Sequence, residues 1–367
     1  MKNDAKTKVL VVEDSLTAQK LLLSIFNQDP ALEVIAVAGS GEEALKILET
    51  LAPDVVTMDI HMPGMNGLDV TRKIMESKPL PIVLVSESCL VQDVERAFQI
   101  IEAGALSAVA KPIGTGAGFQ SAANRLKQTV KDMSQVKVVR RWPKAPLLEH
   151  KKSGDLKSIK LPNVCDLGVI AIGASTGGPN AVVEILSKLN SDFPLPLVLI
   201  QHIAPGFLGG MVEWLSQTLP LRVRIPEDGE QLEPGTLYLC KEGKHLALTE
   251  TLKVKYSGNL GPIAGHRPAV SYLFESLSTN LGAKALGILL TGMGKDGARE
   301  LLAMRQAGAL TIAQDQASSV VHGMPGEAIT LGAASHVLNP QEIGELLKRL
   351  AGKKALKKTK TVEEKRG

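Results

Sequence analysis

Three residues that together could perform nucleophilic catalysis follow predicted strands in the second half of the chain. Ser175 lies in "GASTGG", which fits the G-x-S-x-G pattern of a nucleophilic serine on a strand-to-helix turn. His202 follows the apolar run "LVLIQ", and Asp296 follows "ILLTGMGK". Because parallel strands end at the same edge of a sheet, these side chains could meet there as nucleophile, general base and orienting acid.

Each of these residues also has a purely structural explanation. A serine in a glycine-rich turn often only caps the next helix, a histidine after a strand can belong to the core, and an aspartate before "GARELL" can cap a helix. The chain order Ser, His, Asp differs from the order Ser, acid, His of α/β-hydrolases and disfavours that fold. A phosphate cradle in "GASTGGP" is also disfavoured, because the lysine of a P-loop is missing.

A second set of polar residues ends the predicted strands of the first 130 residues. Glu13 and Asp14 follow "KVLVV", Asp59 follows "VVTM", and the fourth and fifth strands end at Ser86 and Lys111. Three carboxylates at one sheet edge repel one another unless a cation lies among them, and an all-oxygen site suits Mg²⁺. The alternative is that each acid is a loop residue that faces water.

Short β-rich apolar runs alternate with amphipathic helical periods in two regions that would position these residues. Five alternations in residues 1–130 predict a parallel sheet with helices on both faces. Residues 164–351 predict a doubly wound parallel α/β domain, in which "GEQLEPGTLYLCKEGKHLALTETLKVKY" indicates an antiparallel β excursion. Residues 131–163 lack periodicity and predict a flexible basic linker, and 352–367 predict a disordered basic tail.

The composition is that of a globular protein with two domains. The chain has 367 residues, of which 44% are hydrophobic and 22% charged. It contains no apolar run of about 18 residues, and its start lacks the features of a signal peptide, so we expect a cytoplasmic protein without membrane insertion. Cys89, Cys165 and Cys240 are far apart in sequence and are expected to be buried small hydrophobic residues.

The basic excess is confined to two segments. The net charge is +4, but residues 125–160 hold 11 Lys and Arg against three acidic residues, and 352–367 hold seven against two. The remainder is therefore net acidic, which disfavours nucleic-acid binding. A DNA-binding domain in the second half would also need a basic recognition helix, whereas that half alternates strands and helices.

The first region resembles a response-regulator receiver domain. The resemblance covers Lys8 to about Val130 and rests on "VVEDS", "MDIHMPGMNGLD", "VSES" and "AKP" in the order of that family. It implies a flavodoxin-like fold, in which a histidine kinase phosphorylates Asp59. It also implies a Mg²⁺ site formed by Glu13, Asp14 and Asp59.

The same resemblance implies a switch around the phosphorylated aspartate. Lys111 would pair with the phosphoryl oxygens, and the Ser86 hydroxyl would turn toward them. The aromatic residue that the family usually has shortly before the lysine is missing, because Ala108 and Val109 stand there.

Nearly the whole chain is similar to the chemotaxis protein-glutamate methylesterases, the CheB family. Beyond the receiver, the similarity rests on "IGASTGGP", "QHI", "GHRPAVSYLFESL", "LTGMGKDGA" and "AQDQASSVVHGMPGEAI". It implies that Ser175 attacks the γ-carbonyl of a receptor methylglutamate, or of a glutamine that is deamidated. His202 would take the serine proton, and Asp296 would fix the imidazole tautomer.

Several further expectations follow from the residues themselves or from this similarity. The backbone N–H groups of Thr176 and Met293 are the candidates for the oxyanion hole, because glycine-rich turns leave amides unpaired. The partners would be a chemotaxis kinase and methyl-accepting chemoreceptors, with no cofactor for the esterase and a monomeric protein. His245 and His266 are interpreted as surface or groove residues. The alternatives are a methylesterase of a non-flagellar chemosensory pathway and a response regulator without enzyme activity.

Overall fold

The structure is a computed structural model that describes residues 6–86, 91–136, 138, 159 and 161–363. For residues 91–95 and 353–363 only the backbone is described. The chain forms two compact units, each built around its own parallel sheet. Most of the predicted linker, together with Cys89, lies outside the described residues.

The first domain contains a five-stranded parallel sheet in the order β2-β1-β3-β4-β5. Its strands are β1 (Thr7–Val12), β2 (Leu32–Ala38), β3 (Val55–Met58), β4 (Ile82–Ser86) and β5 (Ser107–Ala110). Its helices are α1 (Leu16–Asn27), α2 (Gly41–Thr50), α3 (Gly67–Ser77), α4 (Val91–Ala103) and α5 (Ala117–Ser134). The predicted flavodoxin-like fold is confirmed, with the last helix reaching four residues beyond the predicted boundary at 130.

Side-chain caps start the first three helices close to the carboxyl ends of the strands. Ser15, Ser40 and Asn66 each accept a hydrogen bond from the backbone N–H three residues later. Such caps satisfy amides that have no partner inside the helix. Because Ser15 follows Asp14 directly, the first cap also fixes the backbone beside the predicted acidic site.

The second domain contains a seven-stranded sheet in the order β14-β13-β12-β6-β7-β9-β8, in which every pair is parallel. Its strands are β6 (Val169–Ala174), β7 (Leu197–Gln201), β8 (Arg222–Arg224), β9 (Thr236–Leu239), β12 (Ala285–Leu289), β13 (Leu310–Gln314) and β14 (His336–Leu338). The helices are α6 (Gly178–Leu186), α7 (Leu208–Thr218), α8 (Val270–Asn280), α9 (Ala298–Gln306), α10 (Met324–Thr330) and α11 (Pro340–Glu363). Strand order reverses between β6 and β12, the place where ligands bind in open α/β sheets.

The predicted antiparallel excursion is confirmed only in its second half. Strands β10 (Leu246–Leu248) and β11 (Val254–Tyr256) pair antiparallel, whereas β9 joins the main sheet parallel to β7 and β8. All four residues of β9 are buried, as is typical of a parallel strand covered on both faces. The turn residues on either side of this short strand made it resemble part of a hairpin in the sequence.

Two other expectations differ from the structure. The backbone of α11 stays helical to Glu363, through most of the segment predicted to be a disordered tail, because "KKALKKTKTVE" contains helix-forming residues and no proline or glycine. Cys240 is buried as expected, but Cys165 is exposed in a short 3₁₀ helix at Val164–Asp166. None of the described helices has the length and apolar character needed to cross a membrane.

Two glycines let the start of α8 lie directly against the strand ends of the second sheet. A Cβ atom on Gly173 would come within 2.4 Å of a Val270 methyl group, and one on Gly297 within 2.5 Å of the same group. Gly297 also adopts a positive φ of 81°, which disfavours other residues. The amino terminus of α8 therefore lies close to the edge where the predicted catalytic residues emerge.

We predict that Gly173→Ala destabilises the second domain by about 1–3 kcal/mol, because Val270 is β-branched and cannot easily move away. Gly352→Ala is the matched control, since no atom lies within 4 Å of its added Cβ. Urea unfolding followed by the fluorescence of buried Trp214, in a Trp142→Phe background, measures the difference. Equal midpoints for the two variants would contradict the close packing at Gly173.

Candidate active site

Strands β6 and β7 place Ser175 and His202 on neighbouring loops. Ala174 and Gln201 are paired in register as the last residues of the two strands, so the next residue of each chain segment begins an adjacent turn. The side-chain amide of Gln201 donates to the carbonyl oxygens of Ser175 at 2.8 Å and of His202 at 3.0 Å. This buried glutamine, whose role the sequence did not suggest, ties the two loops together.

The turn that carries Ser175 depends on glycines. Gly177 has a φ of 78° and caps α6, and a Cβ there would lie 2.6 Å from Val320. A Cβ on Gly292 would lie 2.6 Å from the Cβ of Ser175. The loop after β12 therefore passes directly over the serine, which is possible only with glycine at that point.

His202 and Asp296 are hydrogen-bonded to each other. His202 Nε2 lies 2.9 Å from Asp296 Oδ2, and the aspartate side chain is almost fully buried. The same carboxylate accepts the backbone N–H groups of Val270 at 2.7 Å and Ser271 at 3.0 Å, in the first turn of α8. Asp296 thus lies at the positive end of the α8 dipole. The alternative expectation, that Asp296 caps α9, is wrong, because Gly297 occupies the cap position of that helix.

The surroundings of Asp296 keep it ionised. Burial alone would raise the pKa of Asp296, but the hydrogen bond and charge of His202 and the amide of Ser271 lower it to about 2. An ionised carboxylate can only accept hydrogen bonds, so His202 Nε2 must carry the proton. In the neutral ring Nδ1 is then a free acceptor, and among the described residues this buried atom has no hydrogen-bond partner.

Thr291 joins the turns on both sides of the serine. Its carbonyl accepts the N–H of Ser175 at 3.0 Å, and its hydroxyl donates to the carbonyl of Thr176 at 2.9 Å. The hydroxyl also accepts the N–H of Val321 at 2.9 Å, and the N–H of Thr291 donates to Gln314 Oε1 at 2.8 Å. The sequence pointed to the surrounding "LTGMGKDGA" but not to this residue.

The two predicted oxyanion amides lie on the turns that Thr291 connects. Among the described residues, neither the backbone N–H of Thr176 nor that of Met293 donates a hydrogen bond to a protein acceptor. The Met293 side chain is exposed. These two amides are consequently available to an oxygen atom of a bound substrate.

His245 is not the surface or groove residue that the sequence suggested. It is fully buried, with Nε2 at 3.0 Å from the carbonyl oxygen of Gly261 and Nδ1 accepting the N–H of Ala269 at 3.2 Å. It therefore anchors the loop that precedes α8. His266, in that loop, is partly buried with its ring stacked on the ring of His202, which sequence spacing gives no means of predicting.

The predicted acidic residues of the first domain lie together at its sheet edge. Carboxylate oxygens of Glu13, Asp14 and Asp59 lie within 4.8 Å of one another, with Asp14 exposed and the other two buried. Lys111 Nζ lies 2.7 Å from Glu13 Oε2 and 3.1 Å from Asp59 Oδ2. Ser86 is buried at the end of β4, and its carbonyl accepts the N–H of Lys111 at 2.7 Å.

The charges of this cluster fit a divalent cation. Burial raises the pKa of Glu13, and Lys111 only partly opposes this. Burial alone would lower the pKa of Lys111, but Glu13 and Asp59 raise it, so the ammonium stays charged. Three acidic groups against one ammonium leave an excess of oxygen ligands, and the exposed Asp14 opens the site to water, as Mg²⁺ requires.

Comparisons with known proteins match each of the two domains to a family. Residues 170–347 match the family described as CheB methylesterase, and 9–122 match the response regulator receiver domain. A protein-glutamate methylesterase/protein-glutamine glutaminase of Geobacter metallireducens is 46% identical over 95% of this chain and 99% of its own length. One of Syntrophus aciditrophicus is 44% identical over 94% of this chain and 98% of its own.

The solved structure of the Thermotoga maritima CheB methylesterase catalytic domain is 35% identical and covers 50% of this chain and 98% of its own, with a TM-score of 0.47. The two relatives are similar over nearly the full length of both chains, receiver and catalytic domain included. The chain therefore belongs to the protein-glutamate methylesterase/protein-glutamine glutaminase family.

Proposed function

We propose that this protein is a phosphorylation-activated serine hydrolase that removes methyl groups from glutamate γ-methyl esters of chemoreceptors and deamidates specific receptor glutamines. The observation that carries the proposal is the buried Nδ1 of His202, which has no hydrogen-bond partner in the part of the chain that the structure describes and belongs to the loop next to Ser175. With Nε2 held by Asp296, Nδ1 is the atom that can accept a proton from the serine. Family membership supplies the substrate class.

The reaction begins with Ser175. Its Oγ forms a bond to the γ-carbonyl carbon while its proton moves to Nδ1 of His202. The carbonyl oxygen becomes an oxyanion, which the N–H groups of Thr176 and Met293 stabilise. His202 then returns the proton to the leaving methoxide oxygen, so that methanol departs and an acyl-enzyme remains.

Water completes the cycle by the same route. His202 takes a proton from water, the hydroxide attacks the acyl carbon, and the proton returns to Ser175 as glutamate is released. With a glutamine substrate the first leaving group is ammonia instead of methanol. Asp296 stays ionised throughout and stabilises the imidazolium that forms in each half of the reaction.

In the first domain, Asp59 would accept a phosphoryl group from a chemotaxis histidine kinase. Glu13, Asp14 and Asp59 would hold Mg²⁺, which when bound neutralises charge on the phosphoryl oxygens. Lys111, now paired with Glu13 and Asp59, would pair with the phosphoryl group, and Ser86 would turn its hydroxyl toward it.

The domain boundaries belong to the same proposal. We place the receiver at 1–134, since α5 ends at Ser134, and the catalytic domain at 164–351. The linker between them, the cytoplasmic location and the monomeric state stay predictions.

We predict that Ser175→Ala lowers methanol release from methylated receptor membranes by at least about 1,000-fold, because the nucleophile is lost. Ser216→Ala is the matched control, since Ser216 is an exposed serine whose hydroxyl bonds only the carbonyl of Val212. Labelled methanol measures the rate. Full activity in the Ser175 variant would refute the proposed mechanism.

Acid stability should report the ionised state of Asp296. Its pKa in the folded protein is about 2 against an ordinary value of 3.8, so its stabilisation is fully present above about pH 4 and is lost as the pH falls through 2. We expect about 2 kcal/mol of this pH dependence to be missing in Asp296→Asn. Urea unfolding of both proteins from pH 6 to pH 2.5 measures it, and parallel curves would contradict a depressed pKa.

Phosphorylation should require Asp59 and a divalent cation. We predict that acetyl phosphate with Mg²⁺ adds one phosphoryl group to the wild type and raises its esterase rate, and that both effects vanish in Asp59→Asn or with excess chelator. Glu49→Gln, the same chemical change at an exposed position of α2, is the control. Mass spectrometry of the intact protein measures the adduct, and adduct formation by Asp59→Asn would place the site elsewhere.

A further inference from the structure

The rings of His266 and His202 are stacked face to face. Their centroids lie 3.8 Å apart and their planes differ by 3°. Nothing in the proposed reaction uses His266, which bonds neither Ser175 nor Asp296 among the described contacts. A contact of this kind on a general base nevertheless restricts how the base can move.

The chain holds His266 in place by a tight turn. The backbones of Ile263 and His266 exchange two hydrogen bonds, of 3.0 and 2.9 Å, around Ala264 and Gly265. Both central residues have positive φ angles, 48° and 85°, as in a type I′ turn. An alanine rarely adopts such an angle, and the two backbone hydrogen bonds across the turn hold Ala264 in it.

Buried His245 anchors the loop on both sides of this turn. It bonds the carbonyl oxygen of Gly261 before the turn and the N–H of Ala269 after it. The loop segment between these two anchors contains His266. The ring of His266 thus lies on a loop whose two ends are both hydrogen-bonded to His245.

His266 is uncharged near neutral pH. Burial, and then the neighbouring charge of His202, lower its pKa to about 4, although Asp296 acts in the opposite direction. Arg267, the next residue, is exposed. A neutral aromatic face against His202 tolerates the imidazolium that forms when His202 accepts the serine proton, whereas a second imidazolium would repel it.

We propose that His266 is a positioning residue for the general base: by stacking, it fixes the plane of the His202 imidazole so that Nε2 faces Asp296 and Nδ1 faces Ser175. This inference rests on the proposed function, in which His202 is the base. The His202 ring needs a second contact to fix its orientation, because its one ring hydrogen bond is through Nε2 and Nδ1 has no partner among the described residues. The second torsion of a histidine has a broad minimum, so a single hydrogen bond leaves the ring free to tilt.

The test compares His266→Ala, which removes the stacked ring, with His266→Phe, which keeps an aromatic face and removes the nitrogens. His336→Ala, a change at a histidine on edge strand β14, is the matched control. Two rates are measured on the full-length protein: labelling of Ser175 by a fluorophosphonate, and kcat and KM for methanol release. Circular dichroism and urea unfolding of each variant identify any loss of folding.

We expect His266→Ala to lower both the labelling rate and kcat by about tenfold or more with KM unchanged, because misalignment of a base slows proton transfer and not binding. His266→Phe should stay within about threefold of the wild type. The inference is overturned if His266→Ala reacts like the wild type, if it changes KM alone, or if the folded Phe variant loses as much as Ala.

Failure of this inference can be told from failure of the proposed function. Labelling of Ser175→Ala at the wild-type rate would refute the serine mechanism itself. Labelling that depends on Ser175 but is unaffected by His266→Ala would refute only the positioning role. If His266→Ala is unfolded, the Phe variant decides alone: wild-type rates support stacking, and a tenfold loss in a folded Phe variant overturns it.

Discussion

The catalytic domain depends on one ionised carboxylate that is almost completely buried. Asp296 stays ionised because its carboxylate accepts hydrogen bonds from two backbone N–H groups of α8 and from Nε2–H of His202. Isolated buried charges are too costly to persist, so removing any of these donors would favour the protonated acid. The tautomer of His202 and the acceptor character of its Nδ1 follow from the charge on this one group, and the role proposed for Ser175 depends on both.

The start of α8 can reach the carboxylate because glycines lie where a Cβ atom would collide with a neighbouring side chain. Gly173 and Gly297 leave room for Val270 at the start of α8, and Gly292 leaves room for Ser175. All three lie near the carboxyl ends of β6 and β12, the two strands between which the sheet order reverses. The site therefore depends on the close approach of these elements, and a Cβ at any of the three positions would force a neighbouring element to shift.

The sequence predicted what depends on strand ends and missed what depends on loops. The two sheets, the positions of Ser175, His202 and Asp296 and the acidic cluster followed from apolar periodicity and from the rule that parallel strands end at one edge. Burial of His245 and stacking of His266 depend on how a loop of about ten residues folds back, for which periodicity carries no signal. Strand β9 was misassigned because its four buried residues lie between turn residues, where length and context alone cannot distinguish a central parallel strand from a hairpin strand.

The two domains place carboxylates at the same kind of sheet edge but balance the charge differently. Around Asp296, backbone amides and a histidine satisfy one charge with fixed partners, so the group is suited to orient a base repeatedly without changing state. Around Asp59, the described residues bring one ammonium, that of Lys111, to a cluster of three acidic groups, so negative charge stays in excess. Such a site gains stability from an added cation, and an anionic phosphoryl group can enter once that cation is present. The balanced carboxylate of Asp296 thus suits the permanent orienting role proposed for it, whereas the unbalanced cluster around Asp59 can change state, which is the physical requirement for the proposed switch.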